Sequence, residues 1–485
     1  MARHSPAVLV ATKPAPVVHE RVGDHVVPRL SVSTGSVVGD MAGRLRVTAV
    51  ASAASEEDAV LAQRFPEGMA VRAAGGQEIR LRLVRHAPET LSAENYGLVT
   101  EVLWHTMHNL WDRWSNPTFD RASRRAWDAL HALNEDITDA LLAQSPGQGA
   151  GYLVHDYQLS LVPARLRRAD PTARVLFFHH IAWPGPEGLT LWPRQFVDDL
   201  LQGVLGADVI GFFARRWCRN FLRCVEDLVP AARVDHDAGT VLLDNREIRV
   251  VAEPLSYSPD ALAGLPQSWP DELDAWVGDR PLVVHSGRTD PIKNAHRAVD
   301  AFTLAAENPA VADARLLLRV NPHRLHIGAN AEYLEKTERA VAAANHHFGD
   351  ERVRMLVGND RSLTFGCLAR ADAVMLNSTA DGQNLTAFEA LAVGTRDPVL
   401  VISHSCGASE VLGDAALVVH PHDLVDQADA LVTAVAMTPL RRAEAAGRLK
   451  ERAARISLPR WTQKQLELLG IGSTMTDAVR LNHGA

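Results

Sequence analysis

Short, unbroken apolar runs recur along the chain at residues 151–154, 173–179, 207–213, 282–286, 315–320, 373–377, 399–403 and 416–419. Longer stretches of helical period separate them. Continuous rather than alternating apolar runs suit strands covered on both faces, and helix-length spacing predicts βαβ units in parallel sheets. The predicted fold class is therefore α/β, with doubly wound parallel sheets. Between Glu253 and Arg280 the prolines Pro254, Pro259, Pro266 and Pro270 interrupt a loosely periodic stretch, which places a domain boundary there. No repeat or low-complexity block stands out, and residues 475–485 read as a frayed end.

A chain of 485 residues exceeds one ordinary core, so two domains are expected. The net charge of -8 carries no basic footprint for nucleic acid. Four cysteines, Cys218, Cys224, Cys367 and Cys406, are too few and too scattered for a disulfide framework or a zinc knuckle. No apolar run approaches membrane-spanning length, and the N-terminus lacks a signal-peptide pattern, so a reducing, cytoplasmic setting is expected.

Two turns after predicted strands carry candidate chemistry. Asp381-Gly382-Gln383-Asn384-Leu385-Thr386-Ala387-Phe388-Glu389 follows the 373–377 run and leads into a helical segment. A glycine there lets a ligand approach the backbone, and the first N–H groups of the helix attract anions. Asp381 and Glu389 flank that turn and suit the hydroxyls of a sugar-like ring and a ribose. His285-Ser286-Gly287-Arg288-Thr289-Asp290-Pro291-Ile292-Lys293-Asn294 follows the 282–286 strand. Arg288 and Lys293 suit a diphosphate, one by forked hydrogen bonds and one as a point charge. Each turn alone also fits a plain solvated loop; together, at carboxyl ends of one sheet, they point to a ligand.

Upstream, Asp156 and Tyr157 follow one strand and His180 another, so an Asp and a His stand on neighbouring strand ends. A metal held by His155, Asp156, His179 and His180 is the competing idea. Adjacent His179 and His180 point opposite ways on a strand, and no HxH or i,i+4 spacing appears. His180 as a structural core histidine also stays open.

His155-Asp156-Tyr157, Phe177-Phe178-His179-His180-Ile181, Gly211-Phe212-Phe213, the Arg288…Lys293 pair and Asp381-Gly382-x-Asn384-Leu385-x-Ala387-x-Glu389 occur in one order across residues 45–465. Together they resemble the trehalose-6-phosphate synthase family of retaining GT-B glycosyltransferases. The resemblance implies two Rossmann-like domains facing a cleft: an acceptor-side domain over 1–254 and a nucleotide-donor domain over 255–485, the last helix free to pack back on the first. Residues 285–295, 381–385, 211–214 with 216–222, and Asp112-Arg113-Trp114 are similar to a pseudoglycosyltransferase branch, which joins two carbocyclic pseudo-sugars through nitrogen.

Departures from the ordinary synthases bear on substrate. Their Gly after the diphosphate-binding Lys is Asn294 here, and DGMNLVAKE reads DGQNLTAFE, with Gln383 and Phe388. Their Tyr-Asn-x-x-Ser-Asn-x-x-Leu-Trp element reads 95–104 here, where Trp104 keeps register, Tyr96 is displaced by one position, and Thr100 departs from the pattern. Their N-terminal Asn-Arg and Gly-Gly loop become Thr12-Lys13 and Thr34-Gly35-Ser36.

By resemblance, Asp156, His180, Arg288, Lys293 and Asp381 are catalytic. Asn359, Gly382, Gln383, Asn384, Leu385, Glu389 and Gly35 join Arg288 and Lys293 in holding nucleotide and donor. Lys13, Trp104, Tyr157, Asn321 and Arg324 hold a phosphorylated acceptor. The implied donor is a valienol-type cyclitol with GDP as leaving group. No metal or other cofactor is implied, the partners are small molecules without nucleic acid or membrane, and a homodimer is expected. The alternatives are an O-glycosyltransferase using NDP-glucose and a sugar phosphate, and a catalytically silent paralogue.

Overall fold

The computed structural model describes residues 7–90, 97–111, 116–147, 149–257, 262 and 264–471. Asn95, Tyr96, the Asp112-Arg113-Trp114 run and the 475–485 end lie outside the described residues, as does the side chain of Thr100. The chain forms two compact units, Met1–Glu253 with Leu458–Ala485, and Pro254–Ser457.

The first unit is built on a ten-stranded sheet. Its parallel centre runs, in spatial order, Arg246–Ala252, Val209–Phe212, Arg174–His179, Gly151–His155, Ala7–Thr12, Arg46–Ser52 and Glu78–Val84. Antiparallel strands finish both edges: Met69–Arg72 on one, Thr240–Leu243 and Arg233–Asp235 on the other. Chain direction across the sheet reverses between Ala7–Thr12 and Gly151–His155. Such a reversal splays the flanking crossovers apart and leaves a crevice at the strands' carboxyl ends. In the middle, Gly211 is required by packing, since a Cβ there would meet the Phe178 ring at 2.4 Å.

The second unit carries a six-stranded, wholly parallel sheet, ordered Val353–Val357, Arg315–Asn321, Leu282–Arg288, Ala373–Leu376, Val399–Ser403, Leu417–Val419. Numbered along the chain this is 3-2-1-4-5-6, the order of dinucleotide-binding sheets, with its reversal between Leu282–Arg288 and Ala373–Leu376. Its strands read as continuous apolar runs because both faces are covered. Leu282 and Val284 enter one core with Phe365, Phe388 and Leu449, whereas Val283 enters the other with Phe302 and Leu431.

The chain then returns to the first unit through the helix Leu458–Leu468. Trp461 is buried there and donates its indole N–H to Glu253 O at 3.0 Å, while Arg44 donates to Pro459 O at 2.9 Å. Among the described residues, no helix is long and apolar enough to cross a membrane.

Candidate active site

The second unit places both turns at its sheet reversal, one after each strand that borders it. Arg288 ends the Leu282–Arg288 strand, and a single 3-10 turn, Pro291–Lys293, brings Lys293 back over the sheet. Lys293 Nζ lies 2.6 Å from Asp381 Oδ2, which joins the two turns directly. Arg288 pairs with Asp290 at 2.6 Å, with the Asp290 carboxylate almost wholly buried and the guanidinium 42% exposed. Burial alone would raise the Asp290 pKa, but Arg288, His323, Lys293 and Arg324 together hold it below the usual carboxylate range. Each candidate diphosphate cation therefore already faces a carboxylate.

Asn294 explains one departure from the synthase pattern. Its φ is +62°, a left-handed conformation that glycine adopts freely and asparagine tolerates better than other residues. Its side chain is buried, and Nδ2 donates to Asn377 O at 2.9 Å and Pro421 O at 2.7 Å. The residue thus meets a backbone requirement and ties the Lys293 turn to the end of the Ala373–Leu376 strand.

The Asp381–Glu389 segment differs from the sequence expectation in detail. The helix runs Thr386–Val393, and Asn384 before it is left-handed, with φ +68°. Its N–H is taken by Asp381 Oδ1 at 3.1 Å, so this amide orients the carboxylate instead of facing a ligand. The Gln383 and Asn384 side chains are buried as well: Gln383 donates to Leu255 O at 3.0 Å and Asn384 to Ser378 Oγ at 3.2 Å. Both therefore brace the turn. Glu389 has a raised pKa, chiefly from burial, countered by Arg361 and Lys293.

Asn321 and Arg324 lie beside the Arg288 turn in the same unit, where Thr289 Oγ1 donates to His323 O at 2.7 Å and Asn330 bridges Asp290 and His323 O. Arg324 is left-handed, with φ +53°. Asn359 is exposed after Val353–Val357. Its loop is held by Arg319, a buried arginine that donates to Leu356 O at 3.1 Å and Asp360 O at 2.9 Å.

The first unit presents its own group at its reversal point. Asp156 follows Gly151–His155 with φ 80° and ψ 155°, a region almost confined to glycine. Such a conformation costs on the order of 1–3 kcal/mol and clusters at functional sites. The Asp156 carboxylate accepts the Tyr157 N–H at 2.8 Å. Tyr157 and Trp104 are both buried, their rings 6.0 Å apart. Trp104 begins a short helix after a π-helical turn over Leu98–Leu103, a geometry frequent at functional sites. Lys13 directly follows Ala7–Thr12. His180 lies against Phe178, Phe213 and His155, with its pKa pushed down to about 4 by burial. His179 is wholly buried, meets Ala182 O at 3.2 Å, and is pushed down to about 3.

Gly35 corrects an expectation. Thr34-Gly35-Ser36 lies inside the helix Val32–Ala42, not in a loop, and the Gly35 N–H donates to Ser31 O at 3.0 Å. A Cβ at this position would come within 3.0 Å of Pro16 O. Sequence reasoning missed Asp290, Arg319, Asn330 and Trp461. Asp290 stood inside the quoted motif, but nothing local marked it as the partner of Arg288. The other three act through contacts remote along the chain. Among the described residues, no group of three or more His, Cys, Asp and Glu is placed to hold a metal ion.

The model for glycosyltransferase family 20 matches residues 53–470. The chain belongs to glycosyltransferase family 20. It is 44% identical over 436 residues to a validamine 7-phosphate valienyltransferase of Streptomyces hygroscopicus subsp. jinggangensis, covering 90% of this chain and 88% of that one. A trehalose-6-phosphate synthase of Mycobacterium avium is 27% identical, covering 81% and 82%. The crystal structure of a UDP-forming alpha,alpha-trehalose-phosphate synthase from Burkholderia xenovorans superposes with a TM-score of 0.80 at 22% identity, over 97% of this chain and 99% of that one. That likeness establishes the α/β GT-B fold of this family member.

Proposed function

We propose that this family 20 transferase is a retaining pseudoglycosyltransferase. It moves a valienyl-type ring from GDP to the nitrogen of validamine 7-phosphate, giving validoxylamine A 7'-phosphate. The observation that carries this reading is the 44% identity to a validamine 7-phosphate valienyltransferase along nearly the whole length of both chains, against 27% for a trehalose-6-phosphate synthase.

In this reading the second unit holds the donor and the first presents the acceptor. Arg288 and Lys293 leave Asp290 and Asp381 to meet the diphosphate, whose charge grows as the C–O bond breaks; cations placed there act on rate more than on uniform binding. Asp381 is then released to accept hydrogen bonds from ring hydroxyls, and Glu389 takes the ribose. Lys13 and Arg324 hold the acceptor phosphate, and Asp156 orients the amine. A free primary amine is mostly protonated at neutral pH, with a pKa like that of lysine at about 10.4. Once bound it must lose one proton, to Asp156 or a phosphate oxygen, before it attacks, and a second as the C–N bond forms. The departing phosphate oxygen takes the latter on the same face, so configuration is retained. The ring double bond beside the breaking bond spreads the positive charge as an allylic cation. No metal or other cofactor enters this scheme. The reading carries a cytoplasmic homodimer with small-molecule substrates, which light scattering on the purified protein checks for subunit number.

Incubation with GDP-valienol and validamine 7-phosphate is expected to give a coupled product by mass spectrometry, with little turnover of GDP- or UDP-glucose and glucose 6-phosphate. Equal or faster turnover of the glucose pair would replace this reading with an O-glycosyltransferase.

A further inference from the structure

His155 ends one strand of the first unit, and His180 follows the strand beside it. Parallel pairing brings their rings together, with His155 Nδ1 3.0 Å from His180 Nε2 and the centroids 5.2 Å apart. Phe178 packs on His180 at 4.9 Å, and Trp461 packs on His155 at 6.1 Å. Burial drives both pKa values down, so both rings are neutral at physiological pH and one proton lies between them.

Which ring owns that proton follows from the far side of the pair. His155 Nε2 is buried with no hydrogen-bond partner. The indole N–H of Trp461, on the ring packed against it, is committed to Glu253 O. A proton on Nε2 would be an orphaned buried donor, which proteins avoid more strictly than an unfilled acceptor lone pair. His155 therefore carries its proton on Nδ1 and donates it to His180 Nε2. The proton of His180 then sits on Nδ1, on the side of this partly exposed ring away from the His155 contact.

We infer that His155 is a positioning residue that fixes His180 as a neutral Nδ1–H donor to a hydroxyl of the transferred ring. This rests on the proposed function, in which His180 is the catalytic histidine that the family resemblance implies, set against the donor ring. A neutral donor suits the chemistry, because an imidazolium would repel the cation developing there.

Neutron diffraction from perdeuterated crystals reads the tautomer without any substrate. Deuterium on Nδ1 of both residues is expected, and deuterium on Nε2 of His180 would overturn the assignment. His155→Leu is expected to lower kcat about tenfold with KM little changed, the signature of an interaction made in the transition state. His155→Asn, whose amide N–H stands where the imidazole Nδ1–H was, is expected to recover kcat to within a few-fold. Equal loss in both variants, with unchanged melting temperatures, would overturn the donor role. If the deuterium lies as expected but the cyclitol pair gives no product, the proposed function fails while the tautomer assignment stands.

Discussion

At the residue scale the candidate site is a set of cations already neutralised by carboxylates. Lys293 and Asp381 form one pair and Arg288 and Asp290 the other, so a diphosphate must compete for both. The buried Asp290 is faced by Lys293, His323 and Arg324 as well as by Arg288. Arg288→Ala should therefore cost far more in rate than in fold. We expect kcat to fall about 10²–10³-fold, the range found when one group stabilising transition-state charge is removed. The urea midpoint should move little; an unchanged rate would remove Arg288 from the mechanism. The motif showed Arg288, Lys293, Asp381 and Glu389 because charged side chains after an apolar strand are a local signal. The deep burial of Gln383 and Asn384 was not legible, since a polar residue beside a glycine reads the same whether it faces a ligand or a carbonyl.

At the scale of elements, the turn after the Leu282–Arg288 strand is closed by Asn294 in a left-handed conformation with two buried hydrogen bonds. The two contributions can be separated. Asn294→Ala loses both bonds and adds the left-handed penalty, which together should destabilise by about 2–4 kcal/mol. Asn294→Gly loses the bonds but relaxes the backbone, and should be the milder variant by about 1 kcal/mol in denaturant unfolding. The reverse ranking would mean that the left-handed backbone at this position carries no penalty that glycine relieves. From sequence, Asn294 read only as a departure from glycine; the dihedral that makes the two residues near-equivalents exists only in the folded turn. Gly35 shows the opposite error, a glycine read as loop that lies inside the helix Val32–Ala42, where a Cβ would come within 3.0 Å of Pro16 O.

At the scale of the whole molecule, burial of histidines links stability to pH. His179 is pushed down to about 3 and His285 to about 4, both by burial. Unfolded histidine titrates near 6.5, so below that value the unfolded chain binds more protons than the folded one. Stability should be fully present above about pH 6.5 and fall as pH drops toward 4, with each of these two buried rings contributing up to about 1.4 kcal/mol per pH unit in that window. Urea unfolding at pH 7, 6 and 5 measures the slope; a flat response would show that these rings protonate in place. The sequence by itself determined the α/β class, the parallel sheets and the charged turns after their strands, because apolar period and turn chemistry are local properties. Only the tertiary structure decided which carboxylate meets which cation, that Trp461 returns to pack on His155, and that the His155 and His180 rings meet nitrogen to nitrogen. Apart from the Arg288–Asp290 pair within one turn, those contacts join residues tens to hundreds of positions apart, and no local pattern carries them.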